Sequence, residues 1–375
     1  MSSELTLSTL FDGFRDKETI FAVAKKISKL SEKLPEKLYI MEVCGGHTHT
    51  IMKYGINQMI PQNIEFVHGP GCPVCIMPKS RIDAALALAH MKDTILVTLG
   101  DMIKVPGSNG SLAKARGEGC DVRFVYSPTE IIKIAVENPD KKIVYFAIGF
   151  ETTTPMTAAL IDRALSKGVS NIYYAINHVT VPEPMCAIMD DAETKVNGFL
   201  APAHVSVITG AKIYVPISQK YKVPIVAAGF EPADILKAIL MLVEQKIDGR
   251  AETQIEYDRS VSFEPNMKAK EMVERYMEVD DFFVWRGIGP IPKSSLRLKS
   301  EFAHLDAYKV FEEFLPKESS DDHKLCICGE VLKGKAKPYD CKVFATACTP
   351  ASPLGSCMVS SEGACAAYFK YGKSI

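Results

Sequence analysis

Short apolar runs of strand length alternate with helically patterned segments as far as Gly249, and this alternation restricts the fold more than any other feature of the chain. The runs at 38–43, 64–67, 94–99, 122–126, 143–148, 172–176, 199–201 and 224–227 are apolar along most of their length. A strand that is apolar on both faces has to be covered on both, which is the condition of a parallel sheet between helices. Helical segments separate most of the runs, as parallel crossovers require. Residues 18–34 place Ile20, Phe21, Val23, Ala24, Ile27, Leu30 and Leu34 at helical spacing. Ser127, Pro128, Thr129 and Glu130 supply a serine cap, a first-position proline and a capping-box glutamate, and Thr154-Pro155 repeats the cap-then-proline pattern.

The expected fold class is therefore α/β, with two lobes of parallel sheet covered by helices and a smaller C-terminal unit packed with an N-terminal helix. The expected boundaries are 1–37 for that helix, 38–120 for the first lobe, 121–249 for the second and 250–375 for the C-terminal unit, with 220–250 able to return and complete the first lobe. The last unit holds a charged helix near 266–277, a turn-rich run from Trp285 through Pro290, and a cysteine-rich tail. A weak repeat puts Gly149-Phe150-Glu151 and Gly229-Phe230-Glu231 each after an apolar run and before a helix. Ligands of parallel sheets bind at strand carboxyl ends, where Glu151 and Glu231 would sit. The alternative is a carboxylate placed in a helix's first turn for its dipole.

With 375 residues, 47% of them hydrophobic and 24% charged, the chain can bury a sizeable core. A formal net charge of -1 without blocks of like charge leaves no electrostatic footprint for nucleic acid or an anionic membrane. No apolar run approaches the roughly 20 residues of a membrane span, and the N-terminus lacks the pattern of a secretory signal. A cytoplasmic location with small-molecule or protein partners is expected. Phosphate-binding loops, dinucleotide fingerprints, G-x-S-x-G and H-E-x-x-H are all absent from the sequence.

Eleven cysteines in a reducing compartment read as metal ligands, redox thiols or buried apolar residues. Cys120 and Cys186 stand alone and are expected to be buried thiols. Six others crowd the tail, where Cys328, Cys341, Cys348 and Cys365 are spaced C-x12-C-x6-C-x16-C with Cys326 and Cys357 interleaved. So short and polar a region calls for a metal staple. The spacings exceed the C-x2-4-C pairs of zinc ribbons, and Gly329, Pro350, Pro353 and Gly363 suit a loop wrapped round a larger object. A [4Fe–4S] cluster is favoured over structural zinc or unligated thiols, though spacing alone does not select four cysteines from six.

The other group lies near the N-terminus. Cys44-Gly-Gly-His47-Thr-His49 begins where a strand should end and a helix begin, a position expected to lower the Cys44 pKa and favour metal binding or nucleophilic attack. Cys72-Pro-Val-Cys75 follows His68-Gly-Pro-Gly, a C-x-x-C able to open and close a disulfide with little movement. Its competing reading is half of a zinc site completed by Cys44 and His47. Three histidines beside three cysteines favour function over simple burial.

These runs, together with Gly149-Phe-Glu-Thr-Thr153, Pro202-Ala-His-Val-Ser206, Gly229-Phe-Glu-Pro232 and the stretch from Cys341 through Ser360-Ser-Glu-Gly-Ala-Cys365, closely resemble the HypD family of [NiFe]-hydrogenase maturation proteins over essentially the whole chain. The resemblance implies a scaffold for an Fe(CN)2CO unit, working with the small chaperone HypC and accepting cyanide from the thiocyanate-bearing C-terminus of HypE; the hydrogenase large subunit receives the unit later. Carried over residue by residue, it implies iron at Cys44, a redox pair at Cys72 and Cys75, and [4Fe–4S] ligands at Cys328, Cys341, Cys348 and Cys365. Cys326 and Cys357 fall outside that pattern. His47 and His49 are expected to hydrogen-bond bound cyanides, and Glu151, His204 and Glu231 to line the cleft or dock partners. Such a protein is a redox-active assembly factor rather than a free-standing small-molecule enzyme. The competing functions are an iron–sulfur thiol-disulfide oxidoreductase that needs no iron at Cys44, and a binding module in which metal only staples the tail.

Overall fold

The computed structural model describes residues 13–372. All eight strand-like runs form strands: β1 (Leu38–Glu42), β2 (Ile64–His68), β3 (Thr94–Leu99), β4 (Val122–Val125), β5 (Lys142–Gly149), β6 (Ile172–His178), β7 (Gly198–Pro202) and β8 (Ile225–Ala228). With β9 (Thr253–Ile255) they make two parallel sheets, one in the order β2-β1-β7-β8-β9 and one in the order β4-β3-β5-β6. β5 is buried from Ile143 onward, as its unbroken apolar run requires.

Sheet membership departs from the sequence-based boundaries. β3, placed in the first lobe by sequence, pairs with β5 in the second sheet, and β7, placed in the second lobe, pairs with β1 in the first. The chain therefore crosses to the second sheet after β2 and returns after β6. Nothing in a local apolar pattern records such a crossing, because partner choice is a non-local property.

The helix Lys17–Ser31 is capped by Asp16, whose carboxylate accepts from the Thr19 N–H at 2.8 Å. It packs on the helix Pro232–Ile247 of the first lobe, with Ile20, Ala24 and Ile27 in a core shared with Ile235, Ile239 and Leu242, rather than on the C-terminal unit as expected. Its apolar stripe finds its cover on the nearest lobe. The charged helix, Met267–Tyr276, packs on Thr154–Ser166 of the second lobe. Beyond it come two small antiparallel ladders, β10 (Met277–Val279) with β13 (Leu296–Leu298), and β11 (Phe282–Trp285) with β12 (Gly289–Pro292). One apolar core runs from Met41 and Phe199 of the first sheet through Leu96 and Phe146 of the second to Cys348, Cys357 and Met358 of the tail. Among the described residues no helix is long and apolar enough to cross a membrane.

Candidate functional site

In the first sheet the strand order reverses between β1 and β7, and that switch point opens a crevice at the strand carboxyl ends. Cys44 stands in it as the N-cap of the helix Gly45–Lys53, its backbone extended at φ -150 and ψ 127. His204 follows β7 and Phe230 follows β8, so three strand ends supply the walls. The cleft measures about 530 Å³ and is lined by Cys44, His49, His204, Phe230, Arg259 and Glu362 among others.

The Cys44 thiol is pushed up to about 12 by burial and by the Glu362 carboxylate, against the partial relief given by the Gly46 and His47 N–H groups. The expected lowering by the helix N-terminus is thus overturned, because desolvation outweighs two backbone dipoles. Burial and the neighbouring carboxylate thus favour the protonated thiol in this cleft.

His47, His49 and His204 have different tasks. His47 is fully buried, stacks on Phe230 at 4.7 Å between ring centroids, and presents Nε2 to the Ala228 and Gly229 carbonyls at 3.0 and 3.1 Å. Nε2 therefore carries the proton, and burial pushes the ring's pKa down to about 4. His47 fastens the Cys44 helix to the end of β8 and does not line the cleft. His49 and His204 do, with His49 edge-on to Tyr371 and His204 against Phe230.

The C-x-x-C loop is pressed onto Cys44. The Gly45 N–H donates to the Gly71 carbonyl at 3.3 Å and the Gly69 N–H to the Glu42 carbonyl at 2.9 Å. A Cβ at Gly71 would lie 2.2 Å from the Cys44 nitrogen, so only glycine permits this approach. Cys72 and Cys75 are both buried, and the Cys75 N–H donates to the Cys72 sulfur at 3.3 Å. Beneath lies a network in which only His68 stood out by sequence. Glu42 accepts from the Thr48 hydroxyl at 2.5 Å and pairs with His68, whose Nε2 meets the Tyr368 hydroxyl at 3.0 Å.

Tyr368 belongs to the helix Ala364–Tyr371, the same helix as Cys365, and the tail cysteines gather here. All eleven cysteines are free thiols. Cys357 shares one buried core with Cys72, Cys75, Cys348 and Cys365, and the adjoining Ser356 hydroxyl donates to the Cys75 carbonyl, so the two cysteine groups meet. Cys326 lies 3.2 Å from Cys328, and a Cβ added at Gly355 would lie 2.6 Å from both sulfurs. The Cys348 sulfur accepts from the Leu354 N–H at 3.4 Å, while Cys341 sits at the rim with its thiol 3.6 Å from the Leu325 carbonyl. Hydrogen bonding to the Cys328 sulfur and burial hold the Cys326 and Cys365 thiols above the usual range, and for Cys357 the neighbouring Cys75 and burial outweigh the relief that Cys328 gives. Thiols packed this way ionise only when a cation neutralises them, which fits an iron–sulfur group. Among the described residues no three His, Cys, Asp or Glu side chains close on a point as they would around a single ion. Cys326 and Cys328 face the same space, so the expected set is crowded at its first member.

The two glutamates of the repeat part company. Glu231 stands at the cleft as the N-cap of Pro232–Ile247 and forms a bidentate pair with Arg15 at 2.6 and 2.8 Å. Glu151 points elsewhere: it accepts from the Val181 N–H at 3.0 Å beside a separate apolar groove, and burial pushes its carboxyl up to about 7.

The family model for HypD, described as "Hydrogenase formation hypA family", matches residues 18–372. The chain belongs to the HypD family. It is 47% identical over 369 residues to the hydrogenase maturation factor HypD of Azotobacter vinelandii, covering 96% of both chains. Against the HypD of Rhizobium leguminosarum bv. viciae it is 45% identical over 370 residues, 96% of this chain and 95% of that one. Against that of Escherichia coli strain K12 it is 42% identical over 347 residues, 92% of each.

Proposed function

We propose that this protein is a hydrogenase maturation factor, a scaffold that holds iron at Cys44 while an Fe(CN)2CO unit is assembled on it. The observation that carries the reading is that Cys72 and Cys75 of the cleft loop share one buried core with Cys348, Cys357 and Cys365 of the tail, with the Ser356 hydroxyl donating to the Cys75 carbonyl. Low-spin iron carrying cyanide and carbonyl is soft and favours a thiolate, and Cys44 offers one in a cleft open to partners. His49 and His204, rather than His47, are the imidazoles placed to meet the cargo's cyanide nitrogens. A small chaperone of the HypC kind would complete the iron site across the cleft, and a HypE-like donor would bring a thiocyanate-bearing C-terminus.

Release of cyanide from a thiocyanate breaks the sulfur–carbon bond: RSCN and two electrons give RS⁻ and CN⁻. Closing the Cys72–Cys75 dithiol to a disulfide supplies two electrons and releases two protons. A [4Fe–4S] cluster would be held by Cys341, Cys348, Cys365 and one of Cys326 and Cys328, with Cys328 the member that the family resemblance names, and would supply one-electron chemistry beside the dithiol. The thiol-disulfide oxidoreductase remains the second reading, favoured by the same shared core of thiols and needing no iron at Cys44.

The deciding experiment is infrared spectroscopy of the anaerobically purified chain, co-isolated with its small chaperone from a hydrogenase-competent host, for wild type and Cys44→Ala. Cyanide and carbonyl bands present only in wild type support the scaffold. Their absence from an intact wild-type complex refutes it in favour of the oxidoreductase. Iron and sulfide content of Cys326→Ser and Cys328→Ser, taken in parallel, identifies the first cluster ligand.

A further inference from the structure

The turn of the β11–β12 hairpin carries a buried cation that the assembly reading does not use. Arg286 is 6% exposed. Its Nε and Nη2 donate to one oxygen of Asp322 at 2.9 and 2.6 Å, and its Nη1 to the Pro106 carbonyl at 3.1 Å. Its backbone N–H donates to the Ile76 carbonyl at 2.8 Å. Ile76 directly follows Cys75, Asp322 lies on the approach to Cys326, and Pro106 belongs to the loop after β3. A single residue therefore ties the C-x-x-C loop to the entry of the cysteine tail and both to the second lobe.

The neighbouring contacts act in the same sense. Gly287, at φ +76, is packed so closely on Gly329, the residue after Cys328, that an added Cβ would lie 2.7 Å from its Cα. The Ser356 hydroxyl donates to the Cys75 carbonyl from the other side, and Lys79 donates to the Asp321 carbonyl at 2.6 Å. A buried guanidinium is costly unless its donors are met, and the fork that meets two segments at once is not available to lysine.

We propose that Arg286 is a positioning residue: with Asp322 it fixes the separation between the Cys72/Cys75 pair and the tail cysteines, and so the rate at which electrons pass between them. The proposal rests on the redox role given to that pair above. Opening the Cys72–Cys75 disulfide breaks one S–S bond, consumes two electrons and two protons and yields two thiols. The electrons come one at a time from an external one-electron reductant by way of the tail.

The test compares wild type with Arg286→Lys and Asp322→Ala, the second at a half-exposed position where misfolding is a lesser risk. In the metal-free chain, hydrogen exchange at residues 72–78 should quicken in both variants, and unchanged exchange overturns the positioning role. In cluster-reconstituted, disulfide-closed protein treated with dithionite, mass spectrometry of alkylated Cys72 and Cys75 follows thiol release. Release should slow roughly tenfold or more in the variants, the scale set by small displacements of reacting groups. Cluster content, and the disulfide's equilibrium with dithiothreitol, should stay unchanged. An unaltered rate refutes the proposal, and so does loss of the cluster, which would assign Arg286 to holding it. If wild type opens no faster with the cluster than without, the redox reading itself fails, and the exchange result still decides whether Arg286 holds the loop.

Discussion

Replacing Gly71 by alanine attacks the contact that puts the C-x-x-C loop against Cys44. The new Cβ would meet the Cys44 nitrogen at 2.2 Å, the Val43 carbonyl carbon at 2.3 Å and the Cys44 Cα at 2.4 Å. Non-bonded carbons rest about 3.5–4.0 Å apart, so the loop must retreat by roughly 1 Å or more. No side-chain rotation relieves this, because all three atoms are backbone and the strand end is pinned by the Val43 N–H on the Leu200 carbonyl at 3.3 Å. Retreat forfeits the Gly45 to Gly71 hydrogen bond, about 1 kcal/mol, and overpacking adds about 1–3 kcal/mol. The expected loss is about 2–4 kcal/mol from the roughly 5–15 kcal/mol that stabilise a domain. Urea unfolding should show a lower midpoint with an unchanged slope, and Cys72, buried in the wild type, should become reactive to an alkylating agent. A midpoint within about 0.5 kcal/mol of wild type, with Cys72 still protected, would refute the argument that this approach is backbone-limited.

Two further outcomes follow from groups beneath and beside the cleft. Tyr368→Phe leaves the buried His68 Nε2 without its phenol partner, so thermal unfolding should reveal a loss of about 1–3 kcal/mol; an unchanged melting temperature would mean that the hydrogen bond is not formed. Burial holds the Glu151 carboxyl at about 7, above its ordinary 4.5, so the fold favours its protonated form. That contribution is complete below pH 4.5 and is lost as pH rises through about 7, and it amounts to at most on the order of 3 kcal/mol. Glu151→Gln should flatten the fall in denaturation midpoint across that window, and parallel curves for the two proteins would contradict the assignment.

The fold was legible where the physics is local. Each strand-like run became a strand because a doubly buried strand must be apolar throughout, and no other element competes for so short a run. The Ser127 signal is met only in part: Glu130 accepts from the Ser127 N–H at 2.7 Å, but the helix starts at Glu130 with Thr129 as its N-cap. What sequence could not supply was partnership. The placement of β3 and β7 in opposite sheets, the seat of the helix Lys17–Ser31 and the turning of Glu151 away from the Cys44 cleft all depend on contacts between distant residues. The Cys44 pKa was misjudged for the same reason. The helix dipole can be read from spacing, whereas the burial and the Glu362 charge that outweigh it come from a tail more than three hundred residues away.

That tail explains why neither sheet suffices for the site. Its residues reach every part in turn: Ser356 holds the Cys75 carbonyl, the Ser360 hydroxyl donates to Asp101 at the end of β3 at 3.0 Å, and Tyr368 meets His68 at the end of β2. Asp101 marks the switch point of the second sheet, between β3 and β5, as Cys44 marks that of the first. Glu362 is packed so tightly on Gly45 that a Cβ there would lie 2.3 Å from it. One short segment thus spans both switch points and carries Cys357 and Cys365 between them. Glu362, Ser356 and Tyr368 thus tie the segment that carries the tail cysteines to the walls of the cleft and to both strand ends beneath it.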